Sequence, residues 1–389
     1  MIRRRWLMAV AALLVSLYVG VRCFAPRFAE SRLNRVYLAG PVDVSAAART
    51  LHDSLFVADL HSDALLWGRD LLRASDTGHV DLPRLIEGNV GLQVFSTPTI
   101  SRTGDSRGFD LILANAITEG WPLRTWTSEY QRALYMAGAL RSAVLRSQGG
   151  LMLIDSPAAF DTLRTLRQGG SSTVGAMLSI EGLQSLDGQL DRIDGLFAAG
   201  YRLGGLVHRF DNALGGSSTG DAEAGLTAFG RRVVARMETL GMTVDLAHAS
   251  PQLIADVLAV STRPVVVSHT GVRGTCDRSR NLSDEQLRAI AAHGGVIGIG
   301  FWSGAVCGRD VDAIAGAIMY AVRVAGVRHV ALGSDFDGDT VVMDPRGMPL
   351  LTERLLARGL PLDDIRLVMG ENVARVYGMA GRTYSHPVR

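Results

Sequence analysis

Residues 228–248 read AFGRRVVARMETLGMTVDLAH, an amphipathic segment over Ala228–Leu240 followed by a short apolar, β-rich run, Thr243–His248, that ends on an imidazole. A second run, Val265–His269, follows and ends the same way. Most of the candidate strands in this chain are continuous apolar runs rather than alternating ones, which is the mark of strands buried on two faces, as in a parallel sheet covered by helices.

Outward from this stretch the same unit recurs. Further candidate strands are Phe56–His61, Val90–Thr97, Val174–Glu181, Arg202–His208, Val296–Phe301 and His329–Asp335, with amphipathic segments such as Asp284–Ala292 and Val311–Ala325 between them. Strand and helix alternating eight times predicts an α/β fold, a parallel sheet closed into a (β/α)8 TIM-like barrel. The connection after the second strand, residues 98–173, is long and holds two helices, around Asp110–Glu119 and Ser128–Ser147. It reads as an insertion at the active-site face. Residues 349–378 supply the last helices, with Glu371-Asn372 opening or capping a final turn.

Six of the eight candidate strands end in an ionisable residue. His61 and Asp63 close the first, Glu181 the third, His208 the fourth, His248 the fifth, His269 the sixth and Asp335 the eighth. The carboxyl ends of barrel strands converge on one face, so residues far apart in sequence would share one small pocket. His61 and Asp63 fall on the same side of an extended segment and suit one metal ion; His248 and His269 suit a second. Imidazole and carboxylate without thiolate favour zinc, with cobalt or manganese as substitutes. Two ions roughly 3.5–4 Å apart need a bridging anion. All 40 basic residues are arginine, so a carbamylated lysine is impossible and Glu181 is the remaining candidate for the bridge. The same absence excludes Schiff-base and P-loop-lysine chemistry, and no G-x-S-x-G elbow is present.

The chain of 389 residues carries a net charge of +2 and no basic stripe with interleaved aromatics, so no nucleic-acid partner is expected. Arg3–Arg5 precede an apolar run, Trp6–Val21. That order predicts an uncleaved membrane anchor in preference to a removed signal, with the body exported in either case. The resulting division is an anchor over 1–24, a polar helical spacer over 25–50 and a metallohydrolase body over 51–389. With Cys23 in the anchor region, Cys276 and Cys307 remain, and in an exported protein they suggest a disulfide.

Taken together, Asp59-Leu-His-Ser-Asp63, His79-Val-Asp-Leu-Pro-Arg84, Gly91-Leu-Gln-Val-Phe-Ser96, Ile180-Glu-Gly182, Asp245-Leu-Ala-His248, Ser268-His269, Arg280-Asn281, Gly294-Gly-Val-Ile297 and Gly333-Ser-Asp-Phe-Asp-Gly338 form an ordered set. It resembles the renal, or membrane, dipeptidase family of zinc peptidases from about Asp59 to Tyr377. The resemblance implies a dipeptidase with two zinc ions, working through a metal-bridging hydroxide; it leaves open whether a C-terminal D-residue is accepted. It further implies that His61 and Asp63 hold one zinc, His248 and His269 the other, and that Glu181 bridges them. His208 would face the substrate and hydrogen-bond the oxyanion, Arg280 would receive the terminal carboxylate, and Asp335 would be the acid–base group. It also implies a bridged Cys276–Cys307 pair and a homodimer. The chain departs from the animal members in using its N-terminus rather than a C-terminal lipid anchor, in lacking a cysteine two residues after His208, and over 98–173. Rival readings are another zinc amidohydrolase, such as an N-acyl amino acid deacylase or a lactonase, and a non-catalytic, membrane-tethered binding protein.

Overall fold

The structure, a computed structural model, describes residues 2–100 and 110–379; part of the expected insertion, 101–109, and the last ten residues of the expected body lie outside them. The barrel strands are β1 (Val57–Ser62), β2 (Val90–Pro98), β3 (Val174–Glu181), β4 (Tyr201–Gly205), β5 (Thr243–Asp245), β6 (Val266–Thr270), β7 (Val296–Ile299) and β8 (Val330–Leu332). They run in the order β2-β1-β8-β7-β6-β5-β4-β3, every pairing parallel, and β2 pairs with β3 from Leu92↔Gly175 to Pro98↔Glu181 to close the ring. The expected (β/α)8 barrel is therefore the fold.

The unit quoted first shows how sequence sets the elements. Thr227 caps helix Ala228–Leu240 by accepting from Gly230 N, and Gly241, at φ 77°, ends it in the left-handed conformation that a residue without Cβ adopts freely. Ser250 then caps Pro251–Val260, with proline at the first turn where its missing N–H costs nothing. In the insertion the helices are Leu111–Thr118, capped by Asp110, and Glu129–Arg146, capped by Ser128. A third, Pro157–Gln168, leads into β3.

Alternate strand residues such as Ala58, Leu60, Leu92 and Val94 pack with Leu203 and Val296 in an inner cluster. Their neighbours of opposite parity, Val57 and Leu178 among them, join the larger layer between strands and helices. Val373, Val376 and Tyr377 belong to the inner cluster, so the last helix, Asn372–Met379, closes the end of the barrel where the strands begin. The opposite end is left for the site.

At the N-terminus the structure differs from expectation. Ile2–Leu33 form one helix, with Pro26 inside it, but among the described residues no helix is long and apolar enough to cross a membrane. The expected spanning anchor is not borne out. Its apolar run covers sixteen residues between Arg5 and Arg22, fewer than the roughly 20 that a bilayer core requires. Nor is the spacer helical throughout: after Leu33 comes a strand, Val36–Leu38, paired in parallel with Val341–Met343.

Candidate metal centre

The strand ends bring the expected residues together. Glu181, the last residue of β3, is the hub. Its Oε1 lies 3.0 Å from His248 Nε2, 3.5 Å from His269 Nε2 and 3.9 Å from His61 Nε2, and its Oε2 lies 3.5 Å from His208 Nε2. His61 Nε2 is also 3.5 Å from Asp63 Oδ1 and 3.9 Å from Asp335 Oδ1. Three sets, His61/Asp63/Glu181, Glu181/His208/His248 and His61/His269/Asp335, each hold their ligand atoms within 4.8 Å of one another.

This donor set fits metal cations. His61 Nε2 and Asp63 Oδ1 are buried without a hydrogen-bond partner, a costly state for polar atoms that a cation would relieve. Burial, against the pull of Glu181, holds His248 and His269 well below the usual imidazole range, so both rings keep lone pairs to donate. Burial would also lower His61, but Asp63, Glu181 and Asp335 overcome it and push that ring up to about 10. The carboxylates thus demand positive charge at this point, and a metal ion can supply what a proton otherwise must.

A second layer orients the imidazoles. Ser268 Oγ lies 2.9 Å from His269 Nδ1 and 3.4 Å from His61 Nδ1. Asp245 accepts from Ser268 N (2.9 Å) and Ala247 N (2.9 Å), fixing the chain on either side of β5 and β6. Asp59, fully buried in β1, accepts from Ser334 N (2.7 Å) and Gln93 Nε2 (2.6 Å). Sequence reasoning quoted Asp59 and Asp245 within motifs but gave them no role. The available signal was a carboxylate inside an apolar strand two or three residues before a candidate ligand.

Three expected residues surround the cluster. Burial, joined by Asp63, Asp339 and Glu181 and opposed by His61, pushes Asp335 up to about 8. His208 has Nδ1 3.3 Å from Ile100 O, and burial lowers its pKa. Arg280 donates to His269 O (2.9 Å) and Thr270 Oγ1 (3.4 Å). Cys276 and Cys307 form the expected disulfide, joining the loop after β6 to the turn after β7. A cavity of roughly 400 Å³ opens over Asp63, Glu181, His208, His248, His269 and Asp335, a size suited to a small ligand.

A family model described as membrane dipeptidase, peptidase family M19, matches residues 45–386. An uncharacterized dipeptidase of Schizosaccharomyces pombe is 29% identical over 319 residues, covering 77% of this chain and 72% of that protein. The dipeptidase aclJ of Aspergillus oryzae is 34% identical over 218 residues, 53% of this chain and 51% of its own. Among solved structures, a metallo peptidase from Rhodobacter sphaeroides, liganded with a phosphinate mimic of the dipeptide L-Ala-D-Ala, superposes with a TM-score of 0.71 at 25% identity, over 85% of this chain and 99% of that one. The probable dipeptidase PvdM from Pseudomonas aeruginosa shares the fold at a TM-score of 0.72 and 20% identity, over 85% and 97%.

Proposed function

The chain belongs to the membrane dipeptidase family of peptidases, and on that premise we propose that it hydrolyses the peptide bond of dipeptides with two zinc ions. His61 and Asp63 would hold one ion, His248 and His269 the other, with Glu181 between them. The observation that carries this reading is Glu181 Oε1, within 3.9 Å of three imidazole nitrogens that arrive from three different strand ends. When bound, the metal pair supplies Lewis acidity and lowers the pKa of water to about 7.

The chain's own residues do the rest. Arg280 offers a guanidinium fork to the substrate's terminal carboxylate, which confines the enzyme to short substrates. Asp335, with Oδ1 3.9 Å from His61 Nε2 at the edge of the cluster, takes the nucleophile's proton and delivers it to the leaving amine. His208 places Nε2 over the cluster. With Nδ1–H directed to Ile100 O, that nitrogen donates to an oxyanion as the imidazolium, a charge favoured as negative charge develops on the substrate.

Export of the catalytic body is part of the same proposal. It is supported by the Cys276–Cys307 disulfide, which persists in oxidising compartments, and by Arg3–Arg5 preceding the apolar N-terminal run, the order of charges and apolar residues that directs export.

The test is metal content per chain together with hydrolysis of a panel of L-X–L-Y and L-X–D-Y dipeptides, run on the parent and on Glu181→Ala. About two zinc per chain and chelator-sensitive cleavage, both lost in the variant, are expected. Two zinc without dipeptide cleavage would transfer the site to an acylamino acid or lactone substrate. A parent chain that binds no metal would overturn the reading altogether.

A further inference from the structure

One wall of the cavity over the cluster comes from outside the barrel. Ala25, Pro26, Ala29 and Leu33, along one side of helix Ile2–Leu33, line the same cavity as Asp63, Glu181, His208 and Asp335. The helix is seated at two places. Arg22 donates to Thr118 O (3.2 Å) and Glu119 O (2.8 Å) at the end of helix Leu111–Thr118. Glu30, only 2% exposed, pairs with Arg69 and accepts from Thr77 Oγ1 (2.7 Å).

That second seat continues into the site. Arg69 Nη2 pairs with Asp337 at 2.9 Å, and the Asp337 carboxylate accepts from His79 N (2.6 Å) and Val80 N (3.0 Å). Asp337 stands two residues beyond Asp335. A buried chain of ion pairs, Glu30–Arg69–Asp337, thus ties the helix to the turn that carries Asp335. Desolvating three charges is expensive unless geometry is fixed, so this is a built seat and not the loose packing of a tether.

The wall itself is methyl groups, a proline ring and a leucine, which neither donate nor accept hydrogen bonds and suit an apolar group. Arg280 follows β6, three strands around the ring from β1, and is not among the residues lining this cavity. A carboxylate held at Arg280 leaves the cavity to the other end of the substrate. We propose that Ala25–Leu33 is a specificity element, forming the subsite for the side chain of the amino-terminal residue of the dipeptide and admitting compact apolar side chains. This rests on the dipeptidase reading above.

The test uses the full chain with substitutions that intrude on the wall, Ala29→Trp and the smaller Ala25→Leu, beside Phe28→Ala at a position 62% exposed. One substrate series varies the amino-terminal residue (glycine, alanine, leucine, phenylalanine) before a common alanine; a second varies the carboxyl-terminal residue after one. Ala29→Trp should lower kcat/KM for leucyl- and phenylalanyl-alanine at least tenfold relative to glycyl-alanine, and Ala25→Leu should move that ratio the same way. Ratios in the second series should move less than twofold, and Phe28→Ala should move neither. Equal losses across the first series, or selectivity that follows the carboxyl-terminal residue, would overturn the assignment. A parent that cleaves no dipeptide would instead sink the activity reading. The seat is judged without turnover: Glu30→Gln should speed amide exchange over residues 335–339, and unchanged exchange there would refute it.

Discussion

Arg280 keeps its guanidinium on oxygens of the main chain and of Thr270, and burial draws its pKa down to about 10, which still leaves it charged at neutral pH. A charge-assisted pair with a substrate carboxylate contributes about 3 kcal/mol at most, so Arg280→Ala should raise KM for dipeptides by roughly 100-fold with zinc content unaltered; kinetics like the parent's would remove Arg280 from substrate binding. His52 makes a prediction away from the site. It is buried with Nδ1 2.9 Å from Thr352 Oγ1 and Nε2 3.1 Å from Gly88 O, and burial, opposed by the Gly88 bond, lowers its pKa from 6.5 to about 4. The unfolded chain therefore takes up this proton first. The stability that His52 confers is complete above its unfolded pKa and is lost as pH falls toward the folded one, about 2 kcal/mol of it by pH 5. In denaturant titrations, His52→Gln should shrink the stability difference between pH 7 and pH 5 by that amount; no shrinkage would mean the ring is charged in the folded state. The candidate ligands were legible in sequence because each interrupts or ends an apolar run. Asp59 and Asp245 do so equally, yet they hold the backbone of β6 and of the turn after β8, a distinction that only the closed ring makes visible.

The strands themselves were legible as continuous apolar runs, but their ends were not. β5 stops at Asp245 and β8 at Leu332, short of the expected His248 and Asp335. Both of those residues sit in turns with φ of 64° and 63°, a backbone state that side-chain type does not announce. The paired segments Val36–Leu38 and Val341–Met343 are three residues each, too short for any periodicity, and the helix running through Pro26 contradicts the usual meaning of proline as a boundary. Where strands approach closely, glycine is required. A Cβ at Gly333, just past β8, would meet Ser268 O at 1.9 Å, and one at Gly298 in β7 would meet the same oxygen at 2.2 Å. Gly333→Ala should therefore cost roughly 1–3 kcal/mol of stability and, by shifting the turn that begins at Ser334, reduce zinc retention. Denaturation and metal analysis of the one variant check both, and an unperturbed protein would show that the strands can part without consequence.

For the molecule as a whole, the proposed metal pair, held by residues of β1 and its end, of β3 and β6 and of the turn after β5, would bind only the folded state, so that occupancy would add directly to stability. With free metal at about a thousand times Kd the linkage amounts to roughly 4 kcal/mol per site. Chelation should lower the unfolding midpoint of the parent by several degrees and leave Glu181→Ala where it was; equal shifts would place the stabilising metal elsewhere. The proposed ligands run from His61 to His269, with Asp335 beside them on the eighth strand's turn, and β1 pairs with both β2 and β8. No fragment that ends before His269 owns the ligand set for both ions. On the proposed function, zinc would then be acquired last: a chain exported unfolded through a translocase would arrive empty and depend on the metal supply of its destination, not on that of the compartment where it was made.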